Sequence, residues 1–274
     1  MRLGIFAKTF SGSNPLTVLG AVKAAGYDAA QFNMACAGLP SMPDEIPANT
    51  IAAIREAVAE TGIQLVALSG TYNMIHPDVA VRTVGMRRLG LLLDVARELG
   101  IPLVTLCTGT RDPDDQWAHH PDNATPEAWE DLLTEMASAV ALAEAAGVDL
   151  GIEPEQANVV TSAEDGGRLV EAIGSQRIRF VLDPANLFEV ADRDTARTIV
   201  GEAVDRLAGR IAMAHAKDRK TDGSFATAGT GVVDFPDFFR RLKEVGFDGP
   251  VVTHGLSAEE APGVARYLSG LLRP

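Results

Sequence analysis

The heptapeptide GVDLGIE at residues 147–153 decides the fold: a glycine, a short apolar run, and a carboxylate at its last position. Three further apolar runs close in the same way, FVLD at 180–183, IAMAH at 211–215 and VVTH at 251–254. Glu153, Asp183, His215 and His254 therefore each end a candidate strand. They stand 30, 32 and 39 residues apart, and each interval holds about one strand, one helix and their loops, the repeat of a parallel βαβ unit. When such units close into a barrel, the carboxyl ends of all strands share one face, and that face carries the active site. The sequence thus predicts an α/β fold, a (β/α)8 TIM barrel, in which four successive strands deliver one metal-competent side chain apiece.

Outward from this stretch the unit repeats. Gly26, Gly62, Gly100 and Gly246 also precede short apolar runs, ending near Phe32, Leu68, Leu106 and Val252. Each glycine reads as a helix C-terminal cap and each run as a buried parallel strand. With Leu3 to Ala7, Ile178 to Asp183 and Arg210 to Ala216 the strand count reaches eight, the number that closes this barrel. Helical periodicity is clearest at Trp129, Leu132, Leu133, Met136 and Val140 after Thr125-Pro126, and at Phe235, Phe238, Phe239 and Leu242 after Asp234. These stripes are the faces expected to pack on the barrel. No linker or low-complexity tract divides the chain, so residues 1–274 are expected to form a single domain. The long irregular stretches, 34–48, 70–79, 108–124 and 217–233, all follow strands, where a barrel enlarges its functional loops.

Composition narrows the partners. The chain has 274 residues, 46% of them hydrophobic, and a net charge of −13. A phosphate backbone or an anionic membrane surface would be repelled overall, so neither nucleic acid nor membrane is an expected partner. No window of about 18 uninterrupted apolar residues exists to span a bilayer. Two cysteines, Cys36 and Cys107, are too few for a disulfide framework, and the opening MRLGIFAKTF lacks a secretion signal, so a cytoplasmic location is expected. A homo-oligomer remains compatible with the chain.

All five histidines, His76, His119, His120, His215 and His254, fall at strand ends or in loops after strands. Any one of them, or either carboxylate, has a simpler reading as a satisfied structural group or a helix cap. Four such groups at one rim are better explained by a shared cation, because buried charge is costly unless paired or metal-bound. Two carboxylates and two imidazoles suit Mn2+ first, with Co2+, Fe2+, Zn2+ or Mg2+ as alternatives, rather than Ca2+ with its all-oxygen shells.

At LGIEPE (150–155), FVLDPANLF (180–188), HAKD (215–218) and AGTGVVDFPDFFRRLKEVGFDGPVV (228–252) the chain resembles the sugar phosphate isomerase/epimerase family with the xylose-isomerase-like barrel. The resemblance implies that Glu153, Asp183 and His215 are metal ligands. It implies a glutamate at the end of strand eight as the fourth, where this chain has His254. In the family the strand-five and strand-eight glutamates commonly serve as the acid/base pair, so His254 alters either the ligand set or the proton shuttle. Asn186 is a second departure, at a place where related epimerases often carry a histidine.

Further candidates are Glu155 and Lys217, each two residues past a ligand and so on the same side if the strand continues, although Pro154 makes an onward turn at Glu155 equally compatible with the sequence. Lys217 would stabilise an enediolate, or else form a salt bridge with Glu155 or Asp218. Thr71, Asn73 and His76 in SGTYNMIHP, with Arg111, Trp117 and His120 in CTGTRDPDDQWAHHPDN, read as a lid offering donors and aromatic surface to a sugar, or as a packed loop. The segment Gly229-Thr-Gly231 reads as the turn before the helix at Asp234 more than as a phosphate cradle. The expected activity is isomerisation or epimerisation of a small keto-sugar or polyol by metal-assisted proton abstraction, with Glu153, His254 and Lys217 as catalytic candidates. The rivals are a lyase of keto-inositol or dehydroshikimate dehydratase type, a non-catalytic sugar-binding barrel, and a DNA-repair endonuclease.

Overall fold

The computed structural model describes residues 1–272. Eight parallel strands close into a barrel: β1 (Arg2–Phe6), β2 (Ala29–Phe32), β3 (Gln64–Ser69), β4 (Leu103–Leu106), β5 (Asp149–Ile152), β6 (Ile178–Leu182), β7 (Ile211–Ala216) and β10 (Pro250–Thr253). The first and last strands pair in register, Ile5 opposite Thr253, and seal the ring. Eight α-helices alternate with the strands, among them α4 (Pro126–Ala146) and α7 (Phe235–Glu244). α4 starts where the sequence indicates, with the Thr125 side chain accepting from the Ala128 N–H and proline at the first position. It ends on Gly147 at φ 72°, a left-handed turn that swings the chain back into β5.

The strands are shorter than the apolar runs that announce them. In GVDLGIE the first two residues form the turn, and β5 begins only at Asp149. At the other end Glu153, Asp183 and His254 lie just past the last ladder residue of β5, β6 and β10, while His215 lies inside β7. Strand ends frame the site, and three of the four donors sit in the first position freed from the ladder.

Side chains in a strand alternate between faces, and this alternation layers the barrel interior. Ala29, Val66, Ala67, Leu103, Val181, Met213 and Val252 form a buried apolar plug inside the barrel, separate from the larger core beneath the helices. Two residues further along the same strands stand Gln31 after Ala29, Ser69 after Ala67, Thr105 after Leu103, Asp183 after Val181, His215 after Met213 and His254 after Val252. Polar groups thus rest on a dry floor. Gly151 precedes Glu153 in this pattern, and a Cβ there would stand 2.9 Å from the Val181 methyl, so only glycine leaves room for its large neighbours.

Three of the stretches expected to be irregular contain structure: short 3-10 helices at Met34–Ala37 and Pro121–Ala124, and a hairpin in the last. Within 217–233, β8 (Asp218–Arg219) pairs antiparallel with β9 (Phe225–Ala226). Asp218, fully buried, accepts from the backbone N–H groups of Gly229 (3.0 Å), Gly231 (2.8 Å) and Val233 (3.0 Å). The amides of Gly229-Thr-Gly231 are therefore occupied by a carboxylate of the chain itself, which disposes of the phosphate reading. Asp218→Ala would leave these three donors, and the Arg219 N–H that also bonds Oδ1, without that acceptor. We expect it to cost at least about 2 kcal/mol of folding stability, since each unsatisfied buried donor costs roughly 1–3 kcal/mol. Urea denaturation checks this, and a variant as stable as the parent would show that the loop does not depend on Asp218.

Candidate metal centre and cavity

Glu153, Asp183, His215 and His254 each offer one donor atom, and the four donors lie within 4.8 Å of one another. Ligand bonds of about 2.0–2.2 Å put donors on opposite sides of one ion about 4.2 Å apart. Small side-chain shifts therefore close these four on a single cation. Asp183 is fully buried: its Oδ1 accepts from the Ala185 N–H at 2.9 Å, which turns Oδ2 toward the His254 Nε2 at 2.9 Å. His215 stacks at a tilt on His254, ring centroids 4.5 Å apart.

The decisive atom is His215 Nδ1. It is buried, it lies 3.3 Å from Glu153 Oε1 and 3.4 Å from Asp183 Oδ2, and it forms a well-directed hydrogen bond with neither. The other ring nitrogen is engaged, because His215 Nε2 donates to the Gln31 side-chain oxygen at 3.0 Å. Gln31 is oriented in turn by its Nε2, which donates to Ser69 Oγ (3.2 Å) and Thr105 Oγ1 (3.4 Å). The proton is thereby assigned to Nε2, and the Nδ1 lone pair is presented to the space between the carboxylates, as a metal-ligating histidine requires. This orphaned nitrogen, with a carboxylate oxygen on either side, fits a divalent cation.

Electrostatics agree. Burial alone would raise the Glu153 carboxyl, but the neighbouring His215 outweighs it and holds the group below its usual range. Asp183 is held well below its own, Lys217 and the two imidazoles overcoming its burial. Burial opposes charge on His215, yet Glu153 and Asp183 raise it to about 9. His254 goes the other way, lowered by burial and by the charge of His215. Glu153 and Asp183 thus favour positive charge at the place where a cation would sit.

Asn186 bridges the centre to Lys217. Its Nδ2 donates to Glu153 Oε1 at 2.7 Å and its Oδ1 accepts from Lys217 Nζ at 2.6 Å. The buried Lys217 ammonium also lies 3.4 Å from Asp183 Oδ2 and 4.0 Å from the Phe225 ring centroid. Its partners are thus Asp183 and Asn186, and the alternative pairing with Glu155 or Asp218 does not form. Glu155 faces the same cavity, raised to about 7 by burial and by the nearby Glu153.

The centre forms the floor of a cavity of about 540 Å³. Glu155, Asn186, Lys217, Trp117 and Thr71 line it. Asn73, His76, Arg111 and His120 do not, and this corrects the lid assignment. Asn73 is buried and accepts from the Thr110 N–H. His76 accepts from the Asp78 N–H and meets the Pro113 carbonyl. Arg111 is paired with Asp131 at 2.8 Å and donates to the Ile75 carbonyl, and His120 accepts from the Asp122 N–H. All four hold loops together. Lys8, Asn33, Ser41, Gln116 and Phe225 line the cavity although the sequence did not single them out. Gln31, Ser69 and Thr105 had a signal: each is a polar residue near the end of an apolar strand, the register of the ligands.

Residues 19–273 match the family model for the xylose isomerase-like TIM barrel, and the chain belongs to that family. No curated protein sequence matches it. Among solved structures it is similar to the E. coli 3-keto-D-glucoside 4-epimerase YcjR in its apo form, with a TM-score of 0.78 and 15% identity over 98% of this chain and 99% of that one. It is also similar to an L-ribulose 3-epimerase (0.77, 21%, covering 99% and 94%) and to the IolI protein with a binding zinc atom (0.70, 18%, covering 99% and 98%). At these identities the likeness is one of fold. Both cysteines are buried free thiols, and no helix among the described residues is long and apolar enough to cross a membrane.

Two outcomes follow for a divalent ion. Gln31→Ala should weaken Mn2+ binding by about 10- to 100-fold while the protein stays folded, the usual effect of removing a partner that orients a ligating histidine. Chelator competition measures this, and unchanged affinity would deny Gln31 that role. Because His215 titrates at about 9, binding at neutral pH must expel a proton. Apparent affinity should therefore rise as pH increases from about 6 to about 8, which calorimetry in buffers of different ionisation heat would detect as proton release.

Proposed function

We propose that this protein is a metal-dependent isomerase or epimerase of a keto-sugar or a related polyol derivative. The observation that carries this reading is the pairing of four convergent donors, one of them the unpartnered His215 Nδ1, with a polar cavity directly above them. The sugar epimerases among the structures it resembles support it. When bound, the divalent ion, Mn2+ first by its donor set, supplies Lewis-acid stabilisation of negative charge on a carbonyl oxygen.

The chain's own groups do the rest. Glu153 is held as a carboxylate, the form a base needs, and Asn186 fixes the oxygen it bonds. It would take the proton from the carbon beside the carbonyl, the C–H electron pair moving to the oxygen as an enediolate. Lys217 places a fixed positive charge at the cavity wall where that charge develops. Returning the proton to the neighbouring carbon gives an isomer, and returning one to the opposite face of the same carbon gives an epimer. His254, kept neutral by its surroundings, occupies the rim position from which a second proton transfer would come, and performs it when it is not serving as a ligand.

The same neutral imidazole gives a second reading its footing. It would first take up a proton, and the resulting imidazolium would hand that proton to a departing β-hydroxyl, which leaves as water and turns the enediolate path into a dehydration. The experiment is to incubate Mn2+-loaded protein with ketoses and keto-inositols in deuterated water and follow carbon-bound exchange by NMR, with ultraviolet absorbance for a conjugated enone. We expect exchange that chelation abolishes and that Glu153→Gln lowers by about 10²- to 10⁴-fold, the usual contribution of a positioned base. Enone formation would assign the lyase. Exchange indifferent to both metal and Glu153 would overturn the proposal.

A further inference from the structure

Resting on that reading of the inner cavity, we propose that the substrate is a glycosylated sugar whose second ring lies in an outer chamber opening off the reaction cavity. The inner cavity shares Trp117, Glu155, Asn186 and Phe225 with a second one of about 380 Å³, which continues past Gln156, Ala157, Val190 and Arg219. Small-molecule pockets occupy about 300–1,000 Å³, so each chamber suits a small ligand and the two together suit a longer one. The four shared lining residues place the second cavity beside the first, next to the metal centre.

The lining of that path matches a sugar ring. Among the described residues eight large apolar side chains are exposed, and three of them, Trp117 (51%), Phe225 (51%) and Val190 (68%), gather around this outer chamber. Apolar surface left wet is a cost unless something covers it, and the C–H face of a pyranose covers an aromatic wall while its hydroxyls reach the rim. Acceptors for those hydroxyls are present: the Glu155, Glu189 and Asp222 carboxylates and the side-chain oxygen of Gln156, whose Nε2 is fixed by the carbonyls of Thr161 and Leu187 at 3.1 Å.

The wall is built before any ligand arrives. Arg219 donates to the carbonyls of Ala185, Glu189 and Gly223, and its guanidinium carbon lies 4.2 Å from the Phe225 ring centroid, with Lys217 Nζ at 4.0 Å. Preorganisation of this kind favours a specific occupant over a loop that merely fills space. Arg219 commits its Nε and Nη1 donors to backbone carbonyls, and Glu189 and Asp222 line the same chamber with Glu155, so a neutral ring suits it better than a phosphate.

The test is calorimetric binding, with and without Mn2+, of D-fructose and of the glucosyl-fructoses joined through O3, O4 or O6. At least one two-ring ligand should bind about tenfold tighter than D-fructose, the gain expected from burying one apolar ring face. Trp117→Ala removes the platform and Ala157→Leu fills the outer chamber alone, so each should return the two-ring affinity to the level of D-fructose. Ala157→Leu should leave D-fructose binding unchanged. No gain for any of the three, or a gain that survives both variants, overturns the inference. Proton exchange on D-fructose without a two-ring gain would keep the proposed activity and sink this subsite, whereas a two-ring gain without any exchange would do the reverse.

Discussion

The structure depends on one electrostatic constraint: Glu153 and Asp183 place two carboxylates beside each other above a dry barrel floor. Two like charges about 4 Å apart in a partly screened protein interior repel by about 4 kcal/mol, and burial adds to that cost. The arrangement persists because positive charge is brought to it from three directions, by His215, by Lys217 and, when one is bound, by a cation. Other features of the site serve this balance. Gln31 turns His215 so that Nδ1 faces the carboxylates, Asn186 ties Lys217 to Glu153, and the Asp218 cradle steadies the hairpin whose Phe225 lies against the Lys217 ammonium.

The barrel packing sets the height at which this happens. Leu103, Val181, Met213 and Val252 fill the interior below, and small residues such as Ala29 and Gly151 make way for them. Apart from the irregularity that brings both Val66 and Ala67 into the plug, alternation along the strands turns the residue two positions after a plug residue toward the cavity. Water is excluded beneath the centre and admitted only through the mouth. The field above the four donors therefore comes from fixed protein groups, which would need little rearrangement if charge developed there.

Histidine at position 254 shifts the chemistry of the rim. A glutamate there would add a third carboxylate to an already negative centre, whereas imidazole adds a donor without charge and relieves the repulsion. The cost falls on proton transfer, since one nitrogen of His254 is engaged with Asp183. Asn186 compounds the change: its amide orders Glu153 and Lys217 but moves no proton near neutral pH. Under the proposed reaction, proton transfer would therefore rest on Glu153 more than in a site flanked by two glutamates.

The sequence alone determined the eight-strand barrel and the four convergent donors, because both are written in local terms. Glycine-capped apolar runs recur at the βαβ interval, and Glu153, Asp183, His215 and His254 occupy equivalent places in their runs, so closure carries them to one face whatever the loops do. Glu155 and Lys217 were reachable by the same counting from strand ends, Asn186 through the family resemblance and Trp117 only through the reading of its loop. The destinations of Asn73, His76, Arg111 and His120 were not, since a loop residue can turn inward or bond its neighbours, and only the packed structure shows that Asp131, Asp78 and the backbone claim these side chains. Nor could counting along the chain find that Gln31 selects the His215 tautomer across 184 residues, or that Asp218 fills the glycine turn. Such contacts depend on through-space distance between separate strands and loops, and that distance exists only once the barrel has closed.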